Sequence, residues 1–136
     1  MYIKMIKRRI VSIVAAMVFL LALSGCGAAE KEGSVYMNIS PEKAKEMMEN
    51  LEEFVLLDVR NEEEFAEGHI PGAVVIPYDE IEERAEEEIP EKDVPLFVYC
   101  RSGRRSKIAA ESLVSLGYSE IYEFGGIIDW PYEIEQ

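Results

Sequence analysis

The sequence predicts an α/β domain in which helices cover both faces of a five-stranded parallel sheet. Apolar runs that are too short for helices alternate along the chain with segments whose apolar residues recur at helical spacing. The run at residues 54–59 is apolar on both faces and the run at 96–99 is continuously apolar, as is typical of buried strands in a parallel sheet. The chain has 136 residues, which is enough for one such domain.

The first 25 residues have the pattern of a secretory signal peptide. Four basic residues precede an apolar run at 10–23, which is short for a membrane span. The end of the run, Leu23-Ser24-Gly25-Cys26, resembles the bacterial lipoprotein box, in which the peptide is cut before the cysteine and the thiol receives a diacylglycerol. We therefore expect a signal peptide at 1–25, a tether at 26–34 and one domain at 35–136. The alternatives are an uncleaved membrane anchor and an ordinary secretory signal.

Charge and cysteine usage restrict the possible partners and location. The formal net charge of −13 argues against nucleic acid as a partner. Cleavage after residue 25 would remove four positive charges and no negative ones, changing −13 to −17. An acylated Cys26 would attach the protein to a membrane in the bacterial cell envelope, outside the cytoplasm. It could not pair with Cys100, and a spare thiol outside the cytoplasm indicates reactivity.

The domain begins with a predicted strand at 35–39 and a helix. Ser40 is suited to the N-cap of that helix and Pro41 to its first position. The helix has an apolar face, formed by Ala44, Met47, Met48 and Leu51. The strand at 54–59 follows, and Asp58 and Arg60 lie at its carboxyl end, where open α/β sheets bind ligands. The alternative is an ion pair that only closes the strand.

A short helix and a turn come next. Asn61 and Glu64 predict a capped helix that ends at Gly68. His69, the one histidine in the chain, lies in a Pro-Gly turn at 69–73, and we interpret it as structural rather than catalytic.

The segment after this turn predicts a third buried strand, at 74–76, and another helix. Asp79 with Glu82 predicts the cap of that helix, and its buried face contains Ile81, Ala85 and Ile89.

The stretch after the strand at 96–99 contains the candidate nucleophile, Cys100. It reads Cys100-Arg101-Ser102-Gly103-Arg104-Arg105-Ser106. Gly103 permits a sharp turn that can aim successive backbone N–H groups at one point and form an anion-binding nest. The positive end of the following helix and the nearby arginines would lower the pKa of a thiol held there. We interpret Cys100 as reactive; the alternative is a buried cysteine at a strand end.

The last part of the chain predicts a helix, a fifth strand and a turn. The helix has Ala109, Leu113 and Leu116 on one side and stops at Gly117. A strand at 120–124 leads through Gly125-Gly126 to Trp130, which we interpret as a packing anchor. The sequence shows no metal-ligand spacing and no glycine-rich nucleotide loop.

These stretches, in this order and spacing, resemble the rhodanese domain over residues 35–130. The stretches that carry the resemblance are Asp58-Val59-Arg60, Glu64-Phe65, Gly68-His69-Ile70-Pro71-Gly72-Ala73, Ile76-Pro77, Tyr99-Cys100-Arg101-Ser102-Gly103-Arg104-Arg105-Ser106, Gly117-Tyr118, and Gly125-Gly126 with Trp130.

The resemblance implies a five-stranded parallel α/β fold and a Cys100 that carries sulfane sulfur as a persulfide. It implies that Asp58 and Arg60 hold the shape of the active loop, that His69 is not catalytic, and that no metal or organic cofactor is required. The loop wall would consist of Arg101, Ser102, Gly103, Arg104 and Arg105.

The function that the resemblance implies is sulfur transfer from a donor such as thiosulfate to a thiol or cyanide acceptor. We expect the protein to be a monomer. One alternative is a non-catalytic binding module with the same fold. Another is a cysteine phosphatase or arsenate reductase, which uses a Cys followed by five residues and then Arg. Here that position is Ser106, and Arg105 lies one place early.

Overall fold

The structure of the protein, a computed structural model, describes residues 36–136. The strands are β1 (Met37–Asn38), β2 (Val55–Asp58), β3 (Val74–Val75), β4 (Leu96–Cys100) and β5 (Ile121–Gly126). The helices are α1 (Pro41–Asn50), α2 (Glu62–Glu67), α3 (Ile81–Glu88) and α4 (Arg104–Ser115), and a 3₁₀ turn follows β5 at Ile127–Asp129. The predicted signal peptide at 1–25 and tether at 26–34 lie outside the described residues.

All five strands run parallel, in the spatial order β1-β5-β4-β2-β3. Strand β4 lies at the centre of the sheet, and each of its five residues is buried. A strand buried on both faces needs apolar side chains on both faces, and this explains the continuous apolar run that ends at Cys100. The predicted fold class, a five-stranded parallel sheet with helices on both faces, is confirmed.

Two apolar clusters hold the helices against the sheet. On one face, Val98 of β4 belongs to a cluster with Ile81 of α3 and Leu113 of α4. On the other face, Phe97 belongs to a cluster with Met48 of α1. Because successive side chains of a strand point to opposite faces, β4 supplies residues to both clusters. The sulfur of Cys100 lies on the α3 and α4 face.

Side-chain caps begin the first two helices where the sequence predicts them. The Ser40 hydroxyl accepts a hydrogen bond from the Lys43 N–H at 3.2 Å. Asn61 and Glu64 form a reciprocal capping box, in which the Asn61 side chain accepts from the Glu64 N–H at 2.8 Å. These bonds satisfy backbone donors that a helix leaves unpaired at its start.

The prediction of a third buried strand at 74–76 is wrong in its length and burial. Strand β3 has two residues and lies at the edge of the sheet, where β2 is its one neighbour. Val74 is consequently 45% exposed, and the buried Ile76 lies beyond the strand. An apolar run in the sequence does not distinguish an edge strand from a central one.

The predicted cap at Asp79 is also wrong. The residue before α3 is Glu80, and no side chain caps the helix. On the surface of this helix, the Arg84 guanidinium reaches the carboxylates of both Glu80 and Glu88 at 2.7 Å.

Within residues 36–136, the structure contains no helix with the length and apolar character needed to span a membrane.

Candidate active site

Cys100 is the last residue of the central strand, and its side chain is buried. The chain turns back at Gly103, whose φ of 102° lies in the left-handed region that favours glycine. Helix α4 begins at the next residue. The turn therefore brings the start of a helix back over the end of the strand, as the sequence predicts.

Backbone packing against β5 fixes the position of this turn. A Cβ atom on Gly126 would lie 2.0 Å from the carbonyl oxygen of Arg101, so no side chain fits at this position. The same carbonyl oxygen accepts a hydrogen bond from the Ile128 N–H at 3.3 Å. The sequence marks Gly126 as part of a turn, but it does not show that the cysteine loop packs against it.

The sulfur of Cys100 accepts hydrogen bonds from the turn. The Gly103 N–H donates to Sγ at 3.0 Å, and the Ser106 hydroxyl lies 3.5 Å from it. Burial opposes ionisation of the thiol. Hydrogen bonding with the Ser106 hydroxyl and with the N–H groups of Ser106, Gly103 and Ser102 outweighs burial and lowers the pKa of Cys100. A thiol with a lowered pKa is a better nucleophile near neutral pH.

A buried carboxyl group, that of Glu123, lies behind the sulfur. Its Oε1 is 2.6 Å from the Ser106 hydroxyl oxygen and accepts from the Gly125 N–H at 2.8 Å. Its Oε2 accepts from the Asn38 side chain. The sequence analysis missed Glu123 and Asn38. Alternation along β5 could have indicated Glu123, because it points to the same face as the buried Ile121.

Asp58 and Arg60 form a buried ion pair at the end of β2, with 2.7 Å between Arg60 Nη2 and Asp58 Oδ2. The same guanidinium nitrogen donates to the carbonyl oxygen of Gly68, also at 2.7 Å. Their hydrogen bonds thus tie the end of β2 to the turn after α2, and none within residues 36–136 joins them to the loop at 101–105. That this pair holds the shape of the loop stays a prediction.

The arginines of the loop have different environments. Arg105 forms two hydrogen bonds with the carboxylate of Glu64, at 2.7 and 2.9 Å. Arg101 and Arg104 are exposed, as is Ser102. The Arg104 guanidinium lies over the ring of Tyr78, 5.9 Å from its centroid.

Within residues 36–136, the basic residues that form no ion pair all lie in the seven residues after Cys100. Residues 36–136 contain nine lysines and arginines, of which six form ion pairs. The other three in this part of the chain are Arg101, Arg104 and Lys107. The mouth of the site is therefore a positive surface on an acidic domain.

His69 lies away from this chemistry. Its ring stacks on Phe65 with 3.8 Å between centroids, and its Nδ1 is 3.0 Å from the Phe65 carbonyl oxygen. Its Nε2 lies 3.3 Å from the Glu135 carboxylate. These contacts agree with the structural interpretation of His69.

The described residues include no group of His, Cys, Asp or Glu side chains arranged to hold a metal ion. The arrangement around Cys100 is suited to a covalent intermediate on sulfur, because donors surround a thiol that ionises readily.

The family model of the rhodanese-like domain matches residues 40–131. The chain belongs to the rhodanese family. Two curated relatives with sulfurtransferase names are similar to it. Thiosulfate sulfurtransferase PspE of Escherichia coli is 38% identical over 73 residues, covering 54% of this chain and 70% of PspE. A sulfurtransferase of Allochromatium vinosum is 39% identical over 93 residues, covering 68% of this chain and 85% of the relative.

Solved rhodanese structures share the fold. A rhodanese-related protein from Thermoplasma volcanium superposes with a TM-score of 0.63 at 31% identity, covering 74% of this chain and 98% of that protein. Some relatives are longer: the chain spans 57% of the length of YrkF from Bacillus subtilis, to which it is 36% identical over 108 residues.

From the Glu64–Arg105 ion pair we predict that this rhodanese domain loses part of its stability at acidic pH. The hydrogen bond from Arg105 is the main cause that lowers the pKa of Glu64 from 4.5 to about 2. Because the pKa of Glu64 is lower in the folded state than in the unfolded state, its carboxylate stabilises the fold above pH 4.5. This stabilisation is lost as the pH falls towards 2. We expect Glu64→Gln to remove up to about 3 kcal/mol of this acid dependence.

Urea unfolding at about pH 5 and about pH 3 measures this dependence. Glu63→Gln is the matched control, because Glu63 is the exposed neighbour in the same helical turn and forms no ion pair within residues 36–136. If Glu64→Gln loses as much stability on acidification as wild type and control, the pair does not stabilise the fold.

Proposed function

We propose that this rhodanese is a sulfurtransferase in which Cys100 takes sulfane sulfur from a donor such as thiosulfate and passes it to a thiol or cyanide. The observation that carries the proposal is the hydrogen bonding of the Cys100 sulfur, which accepts from the Gly103 N–H and has a lowered pKa. Both features are what a nucleophile that becomes an anionic persulfide requires.

In the loading step, the Cys100 thiolate attacks the outer sulfur of thiosulfate. A bond forms between Sγ and that sulfur, the sulfur–sulfur bond of thiosulfate breaks, and its electron pair leaves with sulfite. The product is an anionic persulfide. The backbone N–H groups of Ser102, Gly103 and Ser106 are suited to stabilise this negative charge, because their positions are fixed before the reaction begins.

In the unloading step, the acceptor attacks the outer sulfur of the persulfide. The electron pair of the sulfur–sulfur bond returns to Sγ, and Cys100 is again a thiolate. Cyanide would leave as thiocyanate, and a thiolate would leave as a new persulfide. Neither step calls for a metal or an organic cofactor. The sulfurtransferase names of relatives such as PspE support this class of reaction.

The positive mouth suits an anionic donor. Arg101, Arg104 and Lys107 are exposed beside the cysteine and form no ion pair within residues 36–136. Charges separated by more than about 8–10 Å are largely screened near physiological salt, so this local positive surface acts on the donor more than the acidic body does.

We further propose that the domain is attached to a membrane of the bacterial cell envelope through a lipid on Cys26. The support is the sequence pattern of basic residues, apolar run and Leu23-Ser24-Gly25-Cys26. The tether at 26–34 would leave the domain free to meet small donors and acceptors outside the cytoplasm.

Cys100→Ser is expected to lower the rate of sulfur transfer by about a thousandfold or more in a folded protein. A serine hydroxyl ionises far less readily and cannot form a persulfide. Thiocyanate formation from thiosulfate and cyanide measures the loss, and near-UV circular dichroism checks the fold. Cys26→Ser is the matched control and should retain the activity. Substantial thiocyanate formation by folded Cys100→Ser would refute the assignment of the nucleophile.

Arg104→Glu is expected to lower kcat/KM for thiosulfate roughly three- to tenfold, because it reverses a charge that faces the dianion. Transfer from a neutral sulfane-sulfur donor should change little. Lys43→Glu reverses an exposed charge on α1 and is the control. Both donors are measured at one salt concentration. Equal losses for the charged and the neutral donor would mean that Arg104 shapes the loop rather than attracting the substrate.

The lipid anchor predicts that wild-type protein partitions into detergent and that Cys26→Ala does not become lipidated. Phase separation and intact mass of protein from a bacterial envelope measure both. If Cys26→Ala fractionates like wild type and keeps residues 1–25, the segment is an uncleaved membrane anchor.

A further inference from the structure

The carboxyl group of Glu123 is fully buried, yet the sulfur-transfer steps above make no use of it. Within residues 36–136 it forms no ion pair, and its partners are the neutral donors of Asn38, Gly125 and Ser106. An unpaired buried charge is costly unless hydrogen bonds compensate for it. The Ser106 hydroxyl connects this group to the nucleophile, since it lies 2.6 Å from Glu123 Oε1 and 3.5 Å from Cys100 Sγ.

The Ser106 hydroxyl has a single proton, and this limits what it can donate. Its oxygen also lies 3.0 Å from the carbonyl oxygen of Gly103 and 3.3 Å from that of Gly125, and neither can donate a proton. When Glu123 is a carboxylate, the short contact directs the proton to Oε1, and Ser106 can only accept from the Cys100 thiol. When Glu123 is protonated, Ser106 can donate to the thiolate instead.

The Cys100 thiol and the Glu123 carboxyl group therefore disfavour each other's ionisation. A thiolate and a carboxylate bridged by one hydroxyl are like charges in a buried site, and such pairs favour a single shared charge. The other charged groups near the site are Arg105 of α4 with Glu64 of α2, Asp58 with Arg60 at the end of β2, and the exposed Arg101, Arg104 and Lys107 at its mouth. The pKa of Glu64 is about 2, so the Glu64–Arg105 pair stays ionised near neutral pH.

We propose that Glu123 is a positioning residue that takes the Cys100 proton through Ser106 and returns it, so that the pair carries one negative charge throughout sulfur transfer. This inference rests on the proposed function and adds Glu123 to the residues that take part in sulfur transfer.

During loading, the Sγ–H bond breaks and its proton moves to Ser106 Oγ, while the Ser106 proton moves to Glu123 Oε1. The freed electron pair of Sγ forms the bond to the outer sulfur of thiosulfate, and sulfite leaves. The pair begins as thiol and carboxylate and ends as persulfide anion and carboxylic acid. Its charge is −1 before and after, so the dianionic donor never meets two negative charges at the nucleophile.

During unloading, the acceptor attacks the outer sulfur and the sulfur–sulfur electron pair returns to Sγ. Sγ takes the Ser106 proton, and Ser106 recovers one from Glu123. Thiol and carboxylate are restored without exchange of a proton with solvent. A protonated Glu123 thus assists the departure of Cys100 from the transferred sulfur.

Glu123→Gln tests the proposal, because the amide keeps the shape of the side chain but cannot take the proton. The measurement is the pH dependence of Cys100 reactivity in the full chain. Loading by thiosulfate and alkylation by iodoacetamide are both followed at the Cys100 peptide by mass spectrometry. In wild type the relay lets Cys100 react while its thiol is still protonated, so half-maximal reactivity lies at a lower pH than for Cys100 alone. We expect Glu123→Gln to move this midpoint up by about one pH unit or more.

Glu111→Gln removes an exposed carboxylate from α4 and should leave the midpoint unchanged. Ser106→Ala removes the bridge and should also raise the midpoint, and adding Glu123→Gln to Ser106→Ala should raise it no further. An unchanged or lowered midpoint in Glu123→Gln would overturn the proposal, since the carboxylate would then be a structural group or a repelling neighbour.

The relay can still be tested if Glu123→Gln does not fold or if wild type is inactive in sulfur transfer. If Glu123→Gln does not fold, infrared difference spectra of wild type decide, because persulfide loading should produce a protonated carboxyl band and its absence would refute the relay. If wild type forms no thiocyanate, the proposed function fails. The alkylation midpoints still test the relay, since alkylation requires no sulfur transfer.

Discussion

The hydrogen bond from the Gly103 N–H to the Cys100 sulfur is the interaction on which the site depends. It requires a left-handed backbone at Gly103, and it requires the loop to lie against a strand with no side chain at the contact. The same turn places the start of α4 over the end of β4. The two strands beside β4 therefore support different parts of the site. Strand β5 supports the loop through Gly126, and the pair at the end of β2 ties down the turn after α2.

Much of this arrangement follows from local patterns in the sequence. The strands at the centre, the capped starts of α1 and α2, and the left-handed turn at Gly103 each depend on a few adjacent residues. Such features are predictable because the physical cause lies within one turn or one strand. The family resemblance added what periodicity alone does not give, namely the identity of the fold and the chemistry expected of Cys100.

The parts that sequence reasoning missed depend on contacts between distant residues. Glu123 is a charged residue in a short strand, and Asn38 of β1 and Ser106 of α4 lie against its buried carboxyl group. Its partners Asn38 and Ser106 lie 85 and 17 residues away along the chain. The exposure of Val74 likewise reflects the place of β3 at the edge of the sheet, and no local pattern specifies which strand becomes an edge.

The strand order has a consequence for the biogenesis of the domain. Met37 of β1 pairs with Tyr122 of β5, so the first strand of residues 36–136 has its partner near the far end of the domain. Contacts of such long sequence separation close late in folding, because the intervening chain must first be ordered. A nascent chain that ends before β5 lacks both Glu123 and the glycine that receives the cysteine loop. Chain synthesis must therefore pass Gly126 before the environment of the Cys100 thiol can be completed.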